Sequence, residues 1–271
     1  MPELPEVETI KNELVPFTVG QVVKKIEILS PSILNACTPE TLNAEVAGQH
    51  VTNLSRRGKY LVFQFENERL LLVHHKMTGS FQVIQGLSMM PKHTRAAIHL
   101  DDGTTLCFID PRRFGRFELA GPEAETLKKL GIEPFAREFT VKRLGEILAR
   151  RASPLKPVLL NQELVAGIGN LYADEILFAA RLSPQRPANS LTEGETRRLH
   201  TEIRRVLRNG IACKGASLVN YHRPTGEKGA AHLAFQVARR AGQECPAGCG
   251  ERIERIFYRG RGTYYCPQCQ K

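Results

Sequence analysis

The sequence predicts an α+β chain of more than one domain: an N-terminal β-sandwich entered through one helix, then a helical domain that ends in a cysteine-bearing β-hairpin. Three observations lead there. Seven short strand-like runs crowd residues 25–119, the pattern turns helical after Gly131-Ile132-Glu133-Pro134, and four of the seven cysteines fall in the last 27 residues. The expected domains are 1–134, 135–240 and 241–271. A chain of 271 residues is long enough to bury more than one modest core.

The opening helix is expected from Pro5 to about Val15. Pro5 suits a first helical position, Glu6 and Glu8 complement the helix N-terminus, and Val7, Ile10 and Leu14 repeat at helical spacing before Pro16 stops the run. Strands are then expected at Lys25–Ile28, Tyr60–Phe65, Leu70–Val73, Phe81–Ile84, Ala97–Leu100, Leu106–Ile109 and Phe117–Leu119, with Asn67 and Asp102-Gly103 supplying turns. Short strands at close spacing indicate a sandwich or barrel. Helices are expected over 140–151, 155–162, 171–181 and 192–210, the last capped by Thr192 with Glu195 three residues on. Residues 211–244 are glycine-rich and read as a loop.

Charge is unevenly distributed. The formal net charge is +10, yet residues 1–180 hold 21 basic and 21 acidic side chains, whereas residues 181–271 hold 17 basic and 7 acidic. An excess confined to the last third suggests a polyanionic partner. No apolar run approaches the 18 residues of a membrane span, and the acidic, proline-bearing start is unlike a secretory signal, so a cytoplasmic location is expected.

Cys245-x3-Cys249 and Cys266-x2-Cys269, sixteen residues apart, have the spacing of a four-thiolate zinc site. A module this small has little core, so the metal is expected to fold it. Ile253–Tyr258 and Thr263–Tyr265 read as paired strands, with Arg259-Gly260-Arg261-Gly262 at the tip. Arginines on a glycine turn suit phosphate or groove contacts.

The N-terminus carries a chemical signal. Methionine is ordinarily removed ahead of proline, which would leave Pro2 as a secondary amine. An α-amino group has a pKa of about 7.7–8.0 against about 10.4 for lysine, so much more of it is unprotonated at neutral pH. Such an amine can attack a carbonyl-equivalent carbon and form an iminium ion, with Glu3 and Glu6 at hand for proton transfer.

Met1-Pro2-Glu3-Leu4-Pro5-Glu6-Val7-Glu8-Thr9 resembles the start of the bacterial formamidopyrimidine-DNA glycosylases. The resemblance continues through Arg57-Gly58-Lys59-Tyr60, Lys76-Met77-Thr78-Gly79, Asp110-Pro111-Arg112-Arg113-Phe114-Gly115, Ala166-Gly167-Ile168-Gly169-Asn170-Leu171 and Arg261-Gly262-Thr263-Tyr264-Tyr265-Cys266. It implies a bifunctional glycosylase and AP lyase of base excision repair. Such an enzyme excises 8-oxoguanine and formamidopyrimidines through a Pro2 Schiff base and then cuts the strand by β,δ-elimination.

The same resemblance implies a catalytic set of Pro2, Glu3, Glu6, Lys59 and Arg261. It implies DNA contacts at His74, His93, Met77, Arg112, Phe114, Lys156, Asn170 and Arg261. Met77, Arg112 and Phe114 would fill the gap left by the extruded base and so should be exposed. Residues 155–181 would form a helix–two-turn–helix, and 217–237 would face the damaged base. One structural Zn2+ on Cys245, Cys249, Cys266 and Cys269, a damaged duplex as partner, a monomeric chain and a bacterial, nucleoid-associated setting are implied; no membrane and no nucleotide cofactor are expected.

Two departures stand out. The first knuckle has three residues between its cysteines where the family usually has two, and Ala238-Arg239 occupies the place of an aromatic-glycine pair. An endonuclease VIII-type enzyme for oxidised pyrimidines and a non-catalytic damaged-DNA binder are the alternatives. The Arg112-Arg113-Phe114-Gly115 block argues against the first, and the Pro2-Glu3-Lys59 set against the second.

Overall fold

The computed structural model describes all residues except Leu87, Ser88, Val219, Asn220 and Arg259. Val219, Asn220 and Arg259, singled out in the base-facing and hairpin-tip segments, therefore lie outside the described residues. Two compact units form, one from residues 1–128 with 211–232 and the other from 129–210 with 233–271. Residues 211–232, expected with the helical domain, thus pack with the N-terminal unit. The cysteine module, expected to stand alone, packs with the helices.

The first unit begins with α1 (Leu4–Thr18), which places Leu4, Val7, Ile10 and Leu14 at 0% exposure. Full burial of each such side chain contributes roughly 1.5–3 kcal/mol. Pro16 does not end this helix. The Thr18 hydroxyl donates to the Leu14 carbonyl at 2.7 Å and the Val19 N–H to Val15 at 3.1 Å, which carries the helix two residues further. After α1 come β1 (Val23–Ile28), β2 (Leu34–Asn35), α2 (Pro39–Val46), β3 (Val51–Arg57), β4 (Tyr60–Phe65), β5 (Leu70–His74), β6 (Ser80–Gln85), β7 (Thr94–Leu100), β8 (Thr104–Ile109) and β9 (Arg116–Ala120).

The strands make two sheets, ordered β1-β7-β8-β6 and β2-β9-β5-β4-β3. Ile26, Ile98, Leu106 and Phe108 from one sheet share a core with Leu61, Phe63, Leu71, Val73 and Phe117 from the other, and α1 adds Val7, Ile10 and Leu14. That shared core is the expected sandwich. Sequence reading missed β3, whose register shift between Val51 and Asn53 breaks the alternation that marks a strand. It also missed α2, although Thr38, Pro39 and Glu40 are a helix-start signal and Thr38 accepts from the Thr41 N–H at 3.2 Å.

The first unit's long run closes with α3 (Glu125–Lys128), and the second unit holds α4 (Val141–Ala149), α5 (Leu155–Leu160), α6 (Asn170–Ala179), α7 (Glu193–Ala212, running into the first unit), and the hairpin β10 (Glu254–Tyr258) with β11 (Arg261–Tyr265). Tyr258 pairs directly with Arg261, so Arg261 and Gly262 belong to the strand rather than to the tip. Phe178 of α6 and Val237 share a small core with Cys245, Ile253 and Cys266, which roots the cysteine module in the helical unit.

Candidate active site

In the first unit, Pro2, Glu3 and Glu6 gather at the N-terminus of α1. Glu3 is the N-cap residue, and both glutamates are 3% exposed while Met1 is 47% exposed. The Glu6 carboxylate accepts the Glu3 N–H on Oε2 at 2.8 Å and the Ala216 N–H on Oε1 at 2.8 Å. It therefore ties the chain start to the segment after α7. Arg223 in that segment pairs with Glu13 of α1 at 2.6 Å, and Tyr221 is buried in the sandwich core.

Lys59 is the second residue of the tight turn between β3 and β4 and is only 6% exposed. Its charge helps to hold His74 neutral. Burial first, then Lys76, His75 and Lys59, lower the His74 pKa to about 3. The Lys76 N–H donates to His74 Nδ1 at 2.9 Å, so the neutral ring carries its proton on Nε2 and presents a donor without a charge. Met77 and Phe114 are 45% and 43% exposed, and the Arg112 guanidinium lies 4.7 Å from the centroid of the Phe114 ring. His93, beside Arg95, is exposed with a left-handed backbone (φ 68).

Beneath the Met77 turn lies His75, a residue the sequence reading did not single out. It is 1% exposed, 5.8 Å from the Phe81 ring and 5.9 Å from that of Phe108, and neither ring nitrogen has a hydrogen-bond partner among the described residues. His75→Leu is expected to stabilise the protein by about 1–3 kcal/mol, because the uncompensated polar group disappears. Burial lowers the His75 pKa to about 4, below the 6.5 of an unfolded chain. Between those values the unfolded state binds a proton that the native state refuses, so stability falls as pH falls, by up to about 1.4 kcal/mol per unit. Urea titrations at pH 7.5 and 5 check both points. A lower midpoint for the variant, or an unchanged pH slope, would contradict them.

In the second unit, Lys156 departs from its expected role as a DNA contact. It is 2% exposed, and its ammonium bonds the Gly262 carbonyl at 3.0 Å, the Thr263 hydroxyl at 2.9 Å and the buried Asp174 carboxylate at 2.7 Å. An ammonium enclosed by three oxygens is an internal tie, and burial raises the Asp174 pKa despite it. Asn170, the first residue of α6, donates to the same Gly262 carbonyl at 3.0 Å. Both side chains thereby brace the strand that carries Arg261. Lys156→Met should cost about 3–5 kcal/mol by leaving Asp174 buried and unpaired, and the double change with Asp174→Leu should recover most of it. Chemical unfolding of both variants tests this, and equal losses in the two would count against it.

The cysteine sulfurs meet the demands of a metal. All four lie within 4.8 Å of one another, with Cys245–Cys269 at 3.8 Å and Cys249–Cys266 at 3.5 Å. Four sulfurs about 2.3 Å from one Zn2+ in a tetrahedron stand about 3.8 Å apart. The extra residue in the first knuckle is accommodated. Arg239, in place of the family glycine, takes a left-handed backbone (φ 63). Just before it, the N–H groups of Gln236, Val237 and Ala238 converge on Glu175 at 2.8–2.9 Å.

Known proteins share this arrangement. The family model for the formamidopyrimidine-DNA glycosylase N-terminal domain matches residues 1–117, and that for the formamidopyrimidine-DNA glycosylase H2TH domain matches 130–221. The formamidopyrimidine-DNA glycosylase of Moorella thermoacetica is 45% identical over 94% of both chains. The crystal structure of MutM (Fpg) from Thermus thermophilus is 42% identical, covers 99% of this chain and 98% of its own, and has a TM-score of 0.88. A Lactococcus lactis Fpg mutant solved with Fapy-dG containing DNA is 35% identical over 100% of both chains, at a TM-score of 0.92. The class is that of the base-excision-repair DNA glycosylases. Within it, this chain belongs to the formamidopyrimidine-DNA glycosylase family. Among the described residues, no helix is long and apolar enough to cross a membrane.

Proposed function

We propose that the chain excises oxidised purines from duplex DNA with Pro2 as the nucleophile, and that it does so in the bacterial cytoplasm at the nucleoid. The observation that carries this reading is the Pro2-Glu3-Glu6 cluster, a prolyl nitrogen at a helix N-terminus beside two buried carboxyl groups. Once Met1 is removed, the Pro2 nitrogen attacks C1′ of the damaged nucleoside, and the C1′–base bond breaks with its electron pair going to the base, which takes up the proton that the Pro2 nitrogen sheds. The sugar ring opens as its O4′ takes a proton from Glu3. The resulting iminium acidifies C2′–H. Glu3, left as the carboxylate, takes that proton as the 3′ phosphate leaves, and a second elimination expels the 5′ phosphate.

Glu6 acts by position. With both oxygens accepting backbone N–H groups, it holds the Ala216 segment against the reacting end instead of shuttling protons. Lys59 and the neutral His74 serve the phosphates beside the lesion. Met77, Arg112 and Phe114 occupy the vacated stack, where Arg112 faces the unpaired cytosine. Asn170 and Arg261 grip phosphate from the helical unit, with Cys245, Cys249, Cys266 and Cys269 holding a zinc ion that fixes the hairpin. This support for oxidised purines rests on the Arg112–Gly115 block.

Borohydride trapping on an 8-oxoguanine:cytosine duplex tests the reading, with a covalent protein–DNA adduct as the expected result. An adduct formed only on a thymine-glycol duplex would move the substrate class to oxidised pyrimidines. No adduct on either would leave a binding protein.

A further inference from the structure

The wedge side chains Met77, Arg112 and Phe114 stand on two separate turns, one between β5 and β6 and one between β8 and β9. Exposed turns of this kind would move independently unless something joined them. Asp110 does so. It is 0% exposed, and its carboxylate takes donors from both sides: the Thr78 hydroxyl on Oδ1, and the N–H groups of Arg112 (3.3 Å, Oδ1) and Gly115 (2.7 Å, Oδ2). Its main chain reaches a third segment, with Asp110 N–H donating to the His93 carbonyl at 3.0 Å and Arg95 Nε donating to the Asp110 carbonyl at 2.8 Å.

Packing reinforces the joint. A Cβ at Gly79 or at Gly115 would lie 2.6 Å from the Phe108 ring, so each turn closes on that ring only because its glycine has no side chain. The ring serves both turns as a common floor, while the carboxylate serves as a common tie. Both side-chain oxygens act as acceptors here. An asparagine would turn an NH2 group toward one set of donors.

We propose that Asp110, through Thr78, is a positioning residue for base extrusion, locking the Met77 turn and the Arg112–Phe114 turn into one rigid wedge. The proposal rests on the assignment of Met77, Arg112 and Phe114 as void fillers. Extrusion places the wedge in the stack, whereas cleavage of a preformed abasic site needs no base removed. Disturbing the tie should therefore separate the two activities.

The test uses the full-length protein and an 8-oxoguanine:cytosine duplex with 2-aminopurine beside the lesion, whose fluorescence rises when stacking is broken. The variants are Thr78→Val, Thr78→Ser and Asp110→Asn, with Met77→Ala as the reference for the wedge itself. Thr78→Val and Asp110→Asn should lose most of the fluorescence rise and excise 8-oxoguanine roughly 10–100-fold more slowly, the scale expected for an ångström of misplacement. Cleavage of a preformed abasic site should stay near wild type, and Thr78→Ser should restore both lost signals. If Asp110→Asn fails to fold, Thr78→Val decides alone. Wild-type behaviour of Thr78→Val alongside a deficient Met77→Ala would overturn the tie and leave the wedge assignment standing. An unaffected Met77→Ala would overturn both. A parallel fall in excision and abasic-site cleavage would show general damage and overturn the positioning role.

Discussion

Replacing Pro2 by glycine is expected to abolish the borohydride-trapped adduct, lowering it by at least about 100-fold, while binding to a non-reactive abasic analogue survives. The reason lies in the amine. At pH 7.5 an α-amino group is roughly 200-fold more deprotonated than a lysine, so either terminal residue offers free base. Only proline makes an adduct with no N–H left to lose, and that adduct stays cationic through elimination. Its ring also removes the backbone freedom that glycine would restore ahead of the Glu3 cap. An intact mass lighter by one methionine must accompany the active protein. An undiminished adduct in Pro2→Gly would show that trapping does not need the prolyl amine.

Removing zinc is expected to weaken binding to lesion-containing DNA by at least about 10³-fold, the lower end of the gap between specific and non-specific binding. The apolar core of the cysteine module contains Phe178, Val237, Cys245, Ile253 and Cys266, and two of these five are themselves ligands. Without the metal, the Lys156 and Asn170 bonds to β11 remain, but the two knuckles at the base of the hairpin come apart and Arg261 loses part of its scaffold. The sandwich has its own core and should keep its unfolding transition. Chelation followed by metal analysis, DNA titration and calorimetry separates these effects. Full affinity after verified zinc loss would refute the structural role.

Much of the fold was readable because its signals are local. Tyr60–Phe65 and the α1 repeat of Val7, Ile10 and Leu14 follow from periodicity, and the four cysteines from spacing. Elements whose pattern is broken escaped notice. β3 is an edge strand with only two buried side chains and a register slip, so its alternation is too weak to see. Charge pointed rightly to a polyanionic partner, since solved relatives are complexes with damaged DNA, but it did not locate the contacts. The basic surplus after residue 180 suggested a docking surface, yet Arg198 donates to the Ala180 carbonyl, Arg204 to Pro134, and Arg186 pairs with Glu195. A sequence counts charges without saying which are already satisfied within the fold.

The sequence by itself determined the chemistry: a proline after the initiator, two glutamates in the first turn, four thiolates at ligand spacing, and the motifs that resemble a family. Only the tertiary structure decided the partners. It turned Lys156 inward to Asp174 and Gly262, closed both oxygens of Glu6 with the Glu3 and Ala216 amides, buried His75 among phenylalanines, and joined the turns of Met77 and Phe114 at Asp110. Ala216 lies 210 positions from Glu6, and Asp110 lies 32 from Thr78. Periodicity and spacing register neighbours along the chain, whereas a buried hydrogen bond depends on which distant segments the core brings together.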